Sequence, residues 1–145
     1  MRAGLRTVAG VLRSLRTYRG DSRHRAGLER LYRPFIKPGE LVFDIGAHVG
    51  DRIGAFRRIG ARVVAAEPQP ALLTVLKLLY GRDRAVVIEP VAVGHEEGVA
   101  ELMVNRANPT VSTVSADFIA AADGAKGWEG QVWDARMPVP MTTLD

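Results

Sequence analysis

Leu41-Val42-Phe43-Asp44-Ile45 is a short, nearly continuous apolar run, and Gly46-Ala47-His48-Val49-Gly50 follows it directly. A run of this length and composition predicts a strand buried on both faces, as in parallel sheets. Asp51–Ile59 then carries apolar residues at helical spacing (Ile53, Phe56, Ile59) and stops at Gly60. Working outward, Arg62–Ala66 predicts a second apolar strand, Ala71–Tyr80 a helix ending at Gly81, and Ala85–Val93 a third strand bent near Pro90. Alternating strands and helices with short connections indicate βαβ units, whose right-handed crossovers order the strands 3-2-1. Past Gly94 the alternation stops. Val99–Asn105 and Val139–Leu144 read as further strands, 108–115 as a loop, and 116–130 as a short helix with a Gly-containing loop.

The loop between the first strand and its helix is the candidate site. Open α/β sheets bind ligands at the carboxyl ends of their strands. Gly46 and Gly50 let the backbone turn tightly and approach a ligand closely, with Ala47 and His48 between them. The helix beyond offers free N–H groups and a positive dipole end. Glu67, at the tip of the second strand, is placed to accept hydrogen bonds from ribose hydroxyls. A G-x-G-x-x-G dinucleotide fingerprint would need glycine where His48 and Asp51 stand, and Asp51 would repel a diphosphate. There is no P-loop. A nucleoside without phosphates fits better, and S-adenosylmethionine (SAM) is such a ligand, with Asp44 available to its ammonium. A nicotinamide-dependent oxidoreductase is the weaker alternative.

Five segments in order extend this reading: residues 42–51, Ala66-Glu67-Pro68-Gln69-Pro70, Val91-Ala92-Val93-Gly94, Ser112-Thr113-Val114-Ser115 and residues 139–145. Together they resemble the FkbM-type SAM-dependent methyltransferases from about residue 39 onward. The resemblance implies a Rossmann-like class I methyltransferase fold and methylation of a hydroxyl on a small molecule or sugar. It implies that Asp44, Gly46 and Gly50 hold the amino acid tail of SAM, that Glu67 holds the ribose, and that Val91 and Ala92 lie near the adenine. His48 stands where the family usually has Asn. Family members continue past the Thr-Leu-Asp strand into a further strand carrying Lys-x-Asp-x-Glu-Gly, whereas this sequence ends at Asp145. The expectation is therefore the N-terminal half of the fold, with no nameable catalytic base. A non-catalytic nucleoside-binding fragment is the alternative, and dimerisation through the open edge of the first strand is a possible remedy for that edge.

The remaining composition narrows the chemistry further. The chain has 145 residues, 47% of them hydrophobic, and no cysteine. Disulfides, thiolate nucleophiles and Cys-ligated metals are thereby excluded. The formal charge of +4 is unevenly placed. Residues 1–33 hold nine arginines against Asp21 and Glu29, while residues 34–145 hold 11 basic and 14 acidic residues. The expected organisation is thus a basic helical arm over 1–38 and a partial SAM-binding domain over 39–145. In the arm, Leu5, Val8, Leu12 and Leu15 share one helical face. That face either packs on the domain or makes weak, salt-sensitive contact with an anionic membrane; no nucleic acid partner is expected. Without a signal peptide or membrane span, the expected location is cytoplasmic. His95-Glu96-Glu97-Gly98 reads as a hairpin turn rather than a metal site. Trp128 and Trp133 read as packing residues, and Ser112 and Ser115 lack any Ser/His/Asp pattern.

Overall fold

A computed structural model describes residues 2–145. Two helices lead, α1 (Arg2–Arg19) and α2 (Ser22–Tyr32), followed by β1 (Leu41–Ile45), α3 (Asp51–Ile59), β2 (Arg62–Ala66), α4 (Pro70–Tyr80) and β3 (Val86–Glu89). Then come β4 (Ala92–Val93), β5 (Gly98–Val104), α5 (Ala116–Ala122) and β6 (Ala135–Thr142). The first three strands form a parallel sheet in the order β1-β2-β3. The chain has an α/β fold consistent with a Rossmann-like methyltransferase domain.

Both crossovers step the same way along the sheet, so α3 and α4 fall on one face of it. There Ile53, Phe56, Leu76 and Tyr80 pack against Val63 and Ala65, with Tyr32, Val42 and Ile88 around them. The opposite face carries Leu41, Phe43, Ile45 and Val87 in the open, and Phe43 is 52% exposed. The expectation that β1 is buried on both faces is therefore corrected. Its apolar alternation is real on both sides, but only one side receives a helical layer.

Two further expectations change at Pro90. The single strand read over Ala85–Val93 is two strands in two sheets. Pro90 lacks the N–H that would continue the ladder, and the chain leaves β3 there. β4 enters a second sheet, ordered β4-β6-β5, where β6 runs parallel to β4 and antiparallel to β5. Since β6 lies between β4 and β5, residues 94–97 are not a hairpin turn but a connection that carries the chain across β6. Pro138 and Pro140 fall where β6 has only β5 beside it, so their missing N–H groups cost little pairing.

The leading helices pack on the domain. Helix α1 buries Gly10, Val11 and Ser14, whereas Leu5, Val8 and Leu12 are 65%, 56% and 60% exposed. Leu15 at the end of that face packs on the domain, while the rest of the face stays in the open. Close approach decides the matter: a Cβ on Gly10 would lie 2.3 Å from the Arg106 carbonyl oxygen, so small residues face the 106–109 segment. Val11 instead joins Val49 and Leu72 in a second apolar cluster. Helix α2 begins at an Asp21 cap and packs Tyr32 edge-on against Phe56. No helix among the described residues is long and apolar enough to cross a membrane.

Candidate cofactor site

A cleft of about 230 Å³ opens at the carboxyl ends of β1, β2 and β3, where an open parallel sheet places its ligands. Gly46 and His48 line it from the loop after β1, Glu67 from the tip of β2, and Val91 and Ala92 from the segment after β3. Five of the eight residues expected at the site thus share one wall system. Asp44, Ala47 and Gly50 do not line the cleft.

Glu67 is the best-defined group in it. Its side chain is 2% exposed. One carboxylate oxygen accepts from the His48 N–H at 2.9 Å and the other from the Gln69 N–H at 2.8 Å. Burial pushes its pKa above the usual carboxylate range, and those two N–H donors oppose the rise. A carboxylate has about four lone-pair sites, so two remain for a ligand's hydroxyls. Glu67 therefore does two jobs: it ties the glycine loop to β2, and it faces the cleft.

The two glycines separate in their roles. Gly46 has φ +69° and nothing within 4 Å of where a Cβ would stand, so its cleft side is open to a ligand. Gly50 has φ +73°, and a Cβ there would lie 2.6 Å from Tyr80 Cε2 and 2.9 Å from Leu76 Cδ2. Its carbonyl also accepts from the Tyr80 hydroxyl at 2.6 Å and from Arg19 Nη1 at 3.0 Å. Packing of α3 on α4 and α1 leaves no room for a side chain at Gly50. Ala47 is fully buried in the main core.

His48 has φ +53° despite its side chain, a conformation that His and Asn tolerate better than most residues. Its ring lies edge-on to Tyr18 of α1 at 5.3 Å, with Nε2 3.3 Å from the Thr110 hydroxyl. Burial lowers its pKa to about 4; Arg52 adds to this and Asp51 opposes it. Because the unfolded chain takes up this proton near pH 6.5 and the folded chain only near 4, stability from this group is lost as pH falls through that window. The difference in unfolding free energy between wild type and His48→Asn is expected to move against wild type by roughly 3 kcal/mol between pH 7 and pH 4. Urea denaturation at both pH values measures it, and a pH-independent difference would contradict the burial argument.

Asp44 lies beneath the loop, 3% exposed. Its Oδ1 accepts from Arg52 Nε at 2.7 Å, and Arg52 Nη2 donates to the Gly46 carbonyl at 2.7 Å. Burial raises the Asp44 pKa, against the lowering effect of Arg52. Its Oδ2 is buried without a partner, the sole such side-chain atom among the described residues. At the start of α3, Asp51 Oδ2 lies 3.0 Å from His24 Nε2 of α2. That contact fastens the leading helices to the loop.

Sequence reading missed four contributors. Thr110 and Thr113 close the cleft from the segment after β5, and the Ser-Thr-Val-Ser motif there was the available signal. Tyr18 reaches His48 from α1, which no local pattern announces. Arg52 carries a charge beside a buried acid, and its spacing of eight residues from Asp44 was legible. Trp128 and Trp133 surround Phe118 edge-on, and Trp133 Nε1 donates to the Val111 carbonyl, a packed cluster.

The family model described as the methyltransferase FkbM domain matches residues 44–145. No curated protein and no solved structure matches the chain.

Proposed function

This chain belongs to the FkbM methyltransferase domain family, and from that premise we propose that it methylates a hydroxyl oxygen of a small molecule or saccharide. SAM is the cofactor of the family. When bound, it supplies an electrophilic sulfonium methyl group. The observation that supports this reading is Glu67: a buried carboxylate with unused lone pairs, facing a cleft beside the unobstructed Gly46. The residues present fit the cofactor's parts. Glu67 receives the ribose hydroxyls, and Val91 and Ala92 offer an apolar wall to the adenine. Nothing in the loop is built for a diphosphate, since His48 and Asp51 occupy the positions where a dinucleotide site needs glycine.

For transfer to a hydroxyl, the protein's task is to hold the acceptor oxygen in line and to take its proton. The bare apolar face of β1 favours a second reading, in which the chain by itself binds the cofactor without turning it over. SAM labelled in its methyl group, incubated with a panel of saccharides and hydroxylated small molecules, separates the two. Label in an alkali-stable product is expected from ether formation. Binding without transfer would favour the second reading, and alkali-labile label would redirect the acceptor to a carboxylate.

A further inference from the structure

Helix α1 keeps an apolar stripe in water. At about 100° per residue, Leu5, Val8 and Leu12 fall within about 60° of one another, and each is more than half exposed. The buried Gly10, Val11 and Ser14 centre more than about 90° away around the helix, so the stripe looks outward. Arg16, Arg13 and Arg6 follow it in that order around the same helix. Arg6 Nη1 pairs with Asp134 at 3.2 Å. Arg13 and Arg16 are exposed and have no carboxylate partner among the described residues. Helix α1 itself carries no acidic residue, and a guanidinium stays protonated in proteins.

Charge decides what can cover such a stripe. A second copy of α1 would set arginines against arginines with no acid on either helix to offset them. A nucleic acid would meet the arginines and leave the leucines in water. An anionic lipid surface satisfies both: apolar side chains enter the boundary between headgroups and acyl chains, and arginine stems lie along it with their heads on phosphates. We propose that α1 docks this protein on an anionic lipid surface, with Leu5, Val8 and Leu12 in that boundary and Arg13 and Arg16 on the lipid phosphates. The helix lies along the surface and is not apolar enough to span it. Further along α1, Tyr18 meets the His48 ring and Arg19 Nη1 donates to the Gly50 carbonyl. Docking therefore fixes the cofactor cleft at the surface, in place of a loose tether.

Co-sedimentation of the full chain with vesicles tests this, without SAM, so that the outcome is independent of the cofactor reading. Vesicles of equal parts phosphatidylcholine and phosphatidylserine should bind the chain, less so as salt rises, and phosphatidylcholine alone should bind it far less. Leu12→Gln should weaken binding roughly 10-fold by removing apolar area from the boundary. Arg13→Gln combined with Arg16→Gln should weaken it roughly 25-fold, at about fivefold for each cation near a charged surface. Phe43→Gln, on the bare sheet face, should leave binding unchanged. All four side chains are exposed, so the variants are expected to fold, and circular dichroism checks that they do. Absence of binding, or equal binding to both kinds of vesicle, would overturn the proposal. So would a loss from Phe43→Gln as large as that from Leu12→Gln. Full binding by Leu12→Gln would reduce the contact to charge attraction alone and overturn the docked stripe. A dimer in light scattering that Leu12→Gln abolishes would assign the stripe to a second copy instead.

Discussion

Gly50→Ala is expected to destabilise the chain by about 3 kcal/mol, near the middle of what its two costs allow. A left-handed backbone costs an L-residue roughly 1–2 kcal/mol, and Gly50 sits at φ +73°. Forcing a methyl group to within 2.6 Å of the Tyr80 ring and 2.9 Å of Leu76 adds roughly 1–3 kcal/mol of overpacking. Against a typical total of 5–15 kcal/mol, the loss is large, and a melting temperature lower by on the order of 10 °C follows. Gly46→Ala is the control. It has φ +69° but no neighbour within 4 Å, so it bears the backbone cost alone and instead places a methyl group where the cleft is open. The two variants should separate, Gly50 in urea denaturation and Gly46 in ligand titration. Equal loss of stability in both would contradict the packing argument.

Replacing Glu67 carries the largest expected effect on the site. In Glu67→Ala the N–H groups of His48 and Gln69 lose their acceptor, each at about 1–3 kcal/mol, and the ribose hydroxyls lose theirs. Stability and SAM affinity should fall together, the affinity by roughly 100-fold or more, as expected for two hydrogen bonds to a charged group. Glu67→Gln divides the two roles. Its single oxygen satisfies one N–H, while its NH₂ opposes the other donor and accepts nothing from a hydroxyl. A Glu67→Gln variant that loses stability yet keeps wild-type SAM affinity would show the carboxylate to be a strut between loop and β2 and nothing more.

Much of this was legible from residue order, because βαβ units declare themselves through period and punctuation. The strand at 41–45, the helix closed by Gly60 and the strand ending at Glu67 all lie where their patterns place them, and these fix the cleft. What the patterns could not convey is which apolar faces find partners. Phe43 and Val87 look like core residues and are exposed, because both helices of the unit pack on the other side. Leu5, Val8 and Leu12 form the more apolar stripe of α1, yet Gly10 and Ser14 lead the packing, because contact distance outweighs hydrophobicity where two backbones cross. The glycine spacing shows that Gly50 needs its left-handed turn, but not that Tyr80, 30 residues away, closes the space above it. Pro90 marked a bend from sequence, but only pairing partners reveal that the bend separates two sheets. Non-local contacts are the common cause of each miss.

The central claim is that the cleft beside Glu67 is a site for S-adenosylmethionine. Isothermal titration of the wild-type chain with SAM, repeated in the presence of NADH, tests it most directly. Saturable heat at sub-millimolar SAM, undiminished by NADH, is the predicted result. No heat with SAM, or displacement of SAM by NADH at comparable concentration, would contradict it.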